Sequence, residues 1–399
     1  MDKLSLNFYR GLIFIKRYYV PFNCFLNFTL AKIIFGTMMP VRRNLKISGN
    51  SPAPIVGYWL LLCSILVLFM VIIGGVTRLT ESGLSIVDWR PLTGVFPPIT
   101  SAEWQNLFMA YRFSPEFNKL NFWMTLEDFK SIYWLEYFHR LWGRIIGIIF
   151  FIPFLWFFCR RMIPKSLAWQ LLTLLGLGGT QGFLGWYMVQ SGLIDQPTVS
   201  QYRLAAHLIL ATIIYVWLFW LALTCLKTRP LRNGSHIIRG LSILVIFGTF
   251  ITMVWGALTA GLDAGLAFNT FPFMNGKWVP QDLFIMSPWW TNFFENTATV
   301  QFIHRKLGVE LVLGILILCG FAIKSPLPIS TRILIFCLTI ISIGQMALGV
   351  TTLLTEVAFP PAIFHQAGAL VVITLAVLIR YELGAEKTTE TNSKINELN

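Results

Sequence analysis

Apolar runs of about twenty residues, the length at which a helix crosses a lipid hydrocarbon core, recur along this chain. They fall at 57–78, 138–158, 167–189, 202–226, 239–261, 300–323, 331–353 and 361–380. The stretch 18–40 is also apolar, but Pro21, Asn23, Asn27 and Lys32 interrupt it, and it is not counted as a span. The polar residues between the runs alternate in charge. Arg42, Arg43 and Lys46 precede the first span; Arg160, Arg161 and Lys165 follow the second; Lys227, Arg229, Arg232 and Arg239 follow the fourth; Lys324 and Arg332 follow the sixth. The intervening loops hold Glu81, Asp88, Glu103, Glu116, Glu127 and Asp128, then Asp195, then Asp263, Asp282 and Glu295, then Glu356. Basic loops stay on the cytoplasmic or matrix face, which places both termini there.

The pattern also repeats. Phe138-His139-Arg140-Leu141-Trp142-Gly143 recurs as Ile303-His304-Arg305-Lys306-Leu307-Gly308, and Gln181-Gly182-Phe183-Leu184-Gly185 as Gln345-Met346-Ala347-Leu348-Gly349. Gly74, Thr77, Glu81, Gly83 and Leu84 align with Gly256, Thr259, Asp263, Gly265 and Leu266. Two copies of a four-span unit, each with an even number of spans, share one orientation. The expected architecture is therefore an all-α membrane protein, with eight transmembrane helices as two tandem four-helix bundles at 51–230 and 231–385.

Composition agrees: 56% of residues are hydrophobic and 12% charged, against about 25% charged in a soluble domain. Mean hydropathy is +0.67. A soluble enzyme and a nucleic-acid binder are both excluded as readings, and the +13 net charge is accounted for by the basic loops. Residues 1–50 carry Lys3, Arg10, Lys16, Arg17 and Lys32 with Asp2 as the only acid, which reads as a mitochondrial targeting segment, with an ordinary cytoplasmic-side tail or an interfacial helix as the bland alternative. Residues 386–399 form a polar tail. The six cysteines (Cys24, Cys63, Cys159, Cys225, Cys319, Cys337) form no CxxC and are assigned neither a disulfide nor a metal.

Of five histidines, His236 lies in a basic loop. The other four, His139, His207, His304 and His365, each sit within about two turns of the start of spans two, four, six and eight, on the acidic-loop face. Ionisable side chains inside a membrane are costly and mark function, although one alone is equally well a histidine bonded to a neighbouring helix. Four in a duplicated frame, one on each of two facing helices per half, suit axial ligation of heme iron; zinc would want more ligands per site. Arg140 and Arg305 follow the first histidine of each pair, where heme propionates are natural partners and a snorkelling arginine is the bland alternative. Glu136, one turn before His139, has Gln301 as its counterpart before His304. An acid in one half and an amide in the other suggests that the halves have diverged, the first suited to proton chemistry and the second to a permanent cofactor; an interfacial glutamate with no task is the bland alternative. The segment 79–137, with Trp89, Pro91, Pro97, Pro98, Trp104, Trp123 and Trp134, reads as a loop on the membrane face, either covering an apolar ligand or forming an aromatic belt.

The run Gly74-Gly75-Val76-Thr77-Arg78-Leu79-Thr80-Glu81-Ser82-Gly83-Leu84-Ser85, with Glu136-Tyr137-Phe138-His139-Arg140, His304-Arg305 and His365-Gln366-Ala367-Gly368, resembles the heme A synthase family, most closely its mitochondrial branch, over residues 52–383. The resemblance implies oxidation of the C8 methyl of heme O to a formyl group, giving heme A for cytochrome c oxidase. Two hydroxylations of that methyl would give a gem-diol, which loses water to the aldehyde. It implies heme b as cofactor, held by His304 and His365 beside Arg305. Heme O is then the substrate, held by His139 and His207 beside Arg140, with Glu136 as catalytic acid. The cysteine pair that some bacterial members carry in the first outer loop is missing from 79–137. The partners implied are membrane lipid, an electron donor of ferredoxin type, a heme O synthase and further copies of the chain as a homo-oligomer, with no nucleic acid. The location implied is the mitochondrial inner membrane, histidines towards the intermembrane space. The rivals are a diheme cytochrome b carrier, which needs the same histidines but no substrate, and a transporter.

Overall fold

A computed structural model describes residues 52–91, 93–226 and 236–384. The targeting segment, the polar tail, Cys24 and most of the basic loop after the fourth span lie outside them. The described residues are helical, with no strand among them. In chain order the helices are α1 (Pro54–Leu79), α2 (Ser101–Arg112), α3 (Pro115–Lys119), α4 (Leu126–Cys159), α5 (Lys165–Gly192), α6 (Gln201–Leu226), α7 (His236–Gly261), α8 (Asn292–Glu295), α9 (Thr297–Ile323), α10 (Ile329–Leu354) and α11 (Phe359–Glu382).

A helix thus forms over every predicted span. Seven are long and apolar enough to cross a membrane. The eighth, α5, is 28 residues long but lies outside the seven, because Gly176, Gly178, Gly179, Thr180, Gln181, Gly182 and Gly185 dilute its apolar content. This is a multi-pass, all-α membrane protein, with apolar side chains such as Ile152, Phe247 and Phe336 left on its outer surface.

The segment expected to be a loop, 79–137, is largely helical. Thr100 and Glu103 form a reciprocal capping box that starts α2, and Ser114 caps α3 ahead of Pro115. Thr125 and Asp128 form a second box that starts α4, twelve residues before the predicted span start at 138. Each box satisfies amide donors that the first turn of a helix leaves free. His139 therefore lies more than three turns into α4, not within two turns of its start. Trp104, Tyr111, Phe117, Phe129, Ile132, Tyr133 and Tyr137 pack into one buried aromatic cluster here. His236 is the first residue of α7, with Arg239 Nη2 3.2 Å from its Nδ1, rather than a loop residue.

α1 packs chiefly on α6 and also on α4 and α11; α9 packs on α7 and α10, and α10 on α11. Val71, Ala211, Met253 and Leu370, one each from α1, α6, α7 and α11, meet in a single buried cluster. These four helices are the seam where the two sequence repeats join. The five described cysteines are free.

Candidate functional site

Each of the four histidines packs on a glycine of a neighbouring helix. A Cβ on Gly74 of α1 would sit 3.3 Å from His139 Nε2, and one on Gly185 of α5 would sit 3.0 Å from His207 Cε1. One on Gly256 of α7 would lie 3.0 Å from His304 Cε1, and one on Gly349 of α10 2.7 Å from His365 Cε1. Every glycine lies in the last two turns of its helix, and His207, His304 and His365 in the first two of theirs. Odd and even spans run in opposite directions, so the four imidazoles share one end of the molecule, where segments 80–125 and 262–296 also lie.

In the C-terminal half the rings of His304 and His365 meet edge to face, with centroids 6.3 Å apart and planes at 81°. Two imidazoles on opposite sides of one metal ion, at metal–nitrogen bonds of about 2 Å, have ring centres about 6 Å apart. His304 Nδ1 is 3.2 Å from the Thr252 carbonyl, and His365 Nδ1 3.2 Å from the Gln345 carbonyl. A proton on His304 Nδ1 would donate to the Thr252 carbonyl and leave the Nε2 lone pair available to a metal, while His365 Nδ1 stands between the Gln345 carbonyl and Gln345 Nε2, the latter at 3.1 Å. Gln345 Nε2 also donates to the His365 carbonyl at 2.6 Å, and Gln181 Nε2 to the His207 carbonyl at 3.0 Å. His139 and His207 make no ring contact of the kind seen in the other half.

Gln181, Gln345 and the four glycines were visible as repeat landmarks, but not as partners of the histidines. The available signal was the four-residue spacing Gln181–Gly185 and Gln345–Gly349, which puts both residues on the same helix face. Gly368, in the motif after His365, leaves room for the Gln345 amide, which a Cβ there would strike.

Glu136 is 2% exposed. One carboxylate oxygen accepts from Ser85 Oγ at 2.7 Å and Ile86 N at 2.8 Å; the other accepts from Arg140 Nη2 at 2.6 Å and Nε at 3.0 Å. Arg140 also donates to the Ile86 carbonyl at 2.9 Å, with Trp89 beneath its guanidinium at 5.7 Å. The segment after α1 thus closes onto Glu136. In the other half Arg305 donates to the Phe268 carbonyl at 2.5 Å, the Thr270 carbonyl at 2.8 Å and Gln301 Oε1 at 3.1 Å. Gln301 Nε2 donates to the Ala264 carbonyl at 2.7 Å. The two arginines tie equivalent loops, but Arg140 meets a carboxylate and Arg305 a neutral amide. Arg305 Nε is buried without a partner, as are Gln181 Oε1 and Gln345 Oε1. Neither arginine snorkels to solvent; both are tied into the loops beside their histidines.

Among the described residues no three His, Cys, Asp or Glu side chains converge on a point. A metal held here would need further ligands from outside the protein, and a porphyrin supplies four. A shallow apolar cleft lined by Cys319, Ala322, Ile323, Arg332 and Phe336 lies at the opposite ends of α9 and α10 and has no part in this site.

Residues 57–377 match the family model COX15-CtaA, described as cytochrome oxidase assembly protein. A heme A synthase of Nitrosospira multiformis is 45% identical over 351 residues, covering 86% of this chain and 97% of its own. Heme A synthase COX15 of Bos taurus is 42% identical over 359 residues, covering 87% and 86% of the two chains. That of Arabidopsis thaliana is 45% identical over 342 residues, covering 82% and 74%.

Proposed function

The chain belongs to the COX15-CtaA family of cytochrome oxidase assembly proteins, and on that premise we propose how it works as a heme A synthase. The reaction is oxidation of the C8 methyl of heme O to a formyl group. The observation that carries the reading is the 6.3 Å approach of the His304 and His365 rings, a separation at which two imidazoles could hold one metal ion between them. These two residues would hold heme b, which when bound supplies electron transfer to the substrate site. His139 and His207, the equivalent pair, would hold heme O. The helices form two tandem four-helix bundles, with α5 completing eight spans.

Electrostatics supports this division. Glu136 neutralises Arg140, whereas Arg305 faces the uncharged Gln301 and keeps an unpartnered buried Nε. A resident dianionic heme is held more firmly beside the uncompensated Arg305. A substrate that must leave as product is better placed beside the neutral Glu136–Arg140 pair. Glu136, one turn from His139, is the candidate catalytic group, its carboxylate able to pass a proton through the Ser85 hydroxyl. The proposed location is the mitochondrial inner membrane, with both termini in the matrix and the four histidines towards the intermembrane space. An electron donor of ferredoxin type, a heme O synthase and homo-oligomeric copies are the proposed partners.

Pigments extracted from cells with and without the chain, separated by mass, test the reaction: without it heme A is lost and heme O accumulates. Glu136→Ala is expected to abolish heme A while purified protein still carries heme b. Normal heme A output from that variant would remove Glu136 from the reaction, and heme b bound with every C8 methyl unchanged would favour a diheme electron carrier.

A further inference from the structure

Gln366 follows His365 on α11, yet its side chain leaves the C-terminal half. Its Nε2 donates at 2.7 Å to the carbonyl of Val71 on α1. The amide can come this close only because residue 75 is glycine: a Cβ there would sit 2.6 Å from Gln366 Nε2 and 2.7 Å from its Cδ. The preceding residue, Gly74, is the one against which His139 packs. An unbroken line of bonds and contacts therefore runs from His365 through Gln366, Gly75 and Gly74 to His139.

The repeat supplies an internal control. At the matching place on the opposite side of the seam, Leu208 follows His207 and Ala257 follows Gly256, and Leu208 packs against an apolar cluster that includes Ala257. One side of the seam therefore works as an apolar contact. On the other an amide is placed among apolar helices, where it is costly unless hydrogen-bonded.

We propose that Gln366 is a positioning residue that locks α11 to α1, so that the histidine pairs of the two halves keep a fixed mutual geometry. This deepens the reading above and rests on it. The lock depends on Gly75 as much as on Gln366, since either substitution breaks the same contact.

The test compares Gln366→Leu, Gly75→Ala and the double variant Gly75→Ala/Gln366→Leu in the full-length protein. The double variant copies the Leu208–Ala257 pair of the other side, so its seam can repack even if a single variant folds poorly. Heme b content is expected to stay at the wild-type level in the double variant. Its heme A yield is expected to fall by about tenfold to a hundredfold, the scale at which a small misplacement acts on a reaction. The electron paramagnetic resonance signal of heme O loaded at His139 is expected to shift in Gln366→Leu as well as in the double variant, although residue 366 lies in the other half. The two substitutions are expected to be strongly non-additive. Wild-type heme A yield and an unshifted signal in the double variant would reduce Gln366 to packing and overturn the proposal. Failure of the underlying reading looks different: wild-type protein would then lack a heme that His304→Ala removes.

Discussion

Gly349 and Gly344 lie on the same helix, α10, and would respond in opposite ways to the same added methyl group. At Gly349 the Cβ would stand 2.7 Å from His365 Cε1, whereas at Gly344 it would meet nothing within 4 Å. Gly344→Ala is expected to be neutral or to stabilise by up to about 1 kcal/mol, through the lower backbone entropy of alanine in a helix. Gly349→Ala must push the imidazole off its axis, and purified protein is expected to lose most of its heme b. Heme-to-protein ratios and thermal unfolding measured on both variants check this, and equal heme content would sink it. The clearances rank the other sites: Gly185→Ala and Gly256→Ala, at 3.0 Å, milder than Gly349→Ala, and Gly74→Ala, at 3.3 Å, mildest. The histidines were legible in the sequence because an ionisable residue stands out in an apolar run. Their glycine and glutamine partners were legible only as repeats, since a hydrogen atom in place of a side chain carries no chemical label.

At the scale of elements, the largest departure from the sequence reading is the outer layer of α2, α3 and the first turns of α4. Hydropathy registers lipid-facing length and passed over these helices, although Thr100-x-x-Glu103 and Thr125-x-x-Asp128 spell their capping boxes. The layer is held by aromatic packing around Tyr111, whose hydroxyl donates to Glu116 at 2.9 Å and accepts from Asn121 at 2.8 Å. Glu116 is 4% exposed, and burial pushes its carboxyl up to about 7 from 4.5. The folded state then binds this proton more tightly than the unfolded one. Its stabilising effect is complete below about pH 4.5 and declines as pH rises towards about 7. Amide hydrogen exchange in α2 and α3 is expected to quicken over that window beyond its intrinsic pH dependence, and Glu116→Gln to flatten the change. An unaltered profile in that variant would show that another group governs it.

For the whole molecule, the open contrast is between seven spans and eight, and α5 decides it. If α5 crosses the bilayer, Cys159 before it and residue 195 after it lie on opposite faces, and both positions are exposed. A membrane-impermeant thiol reagent is expected to label Cys159, as sole cysteine, from the face of the basic loops alone. Asp195→Cys, as sole cysteine, is expected to be labelled from the other face alone. Labelling of both from one face would end the two-bundle architecture. The seven strongly apolar helices, the duplication and the candidate ligands were legible in the sequence alone, because lipid imposes a one-dimensional rule on which residues may follow one another. Only the tertiary structure decided that the His304 and His365 rings meet at 6.3 Å, that Glu136 pairs with Arg140 against Ser85 and Ile86, and that Gln366 reaches Val71. Those contacts join residues up to 295 positions apart. They depend on how closely helices approach and how they are rotated, which no pattern local to one helix encodes.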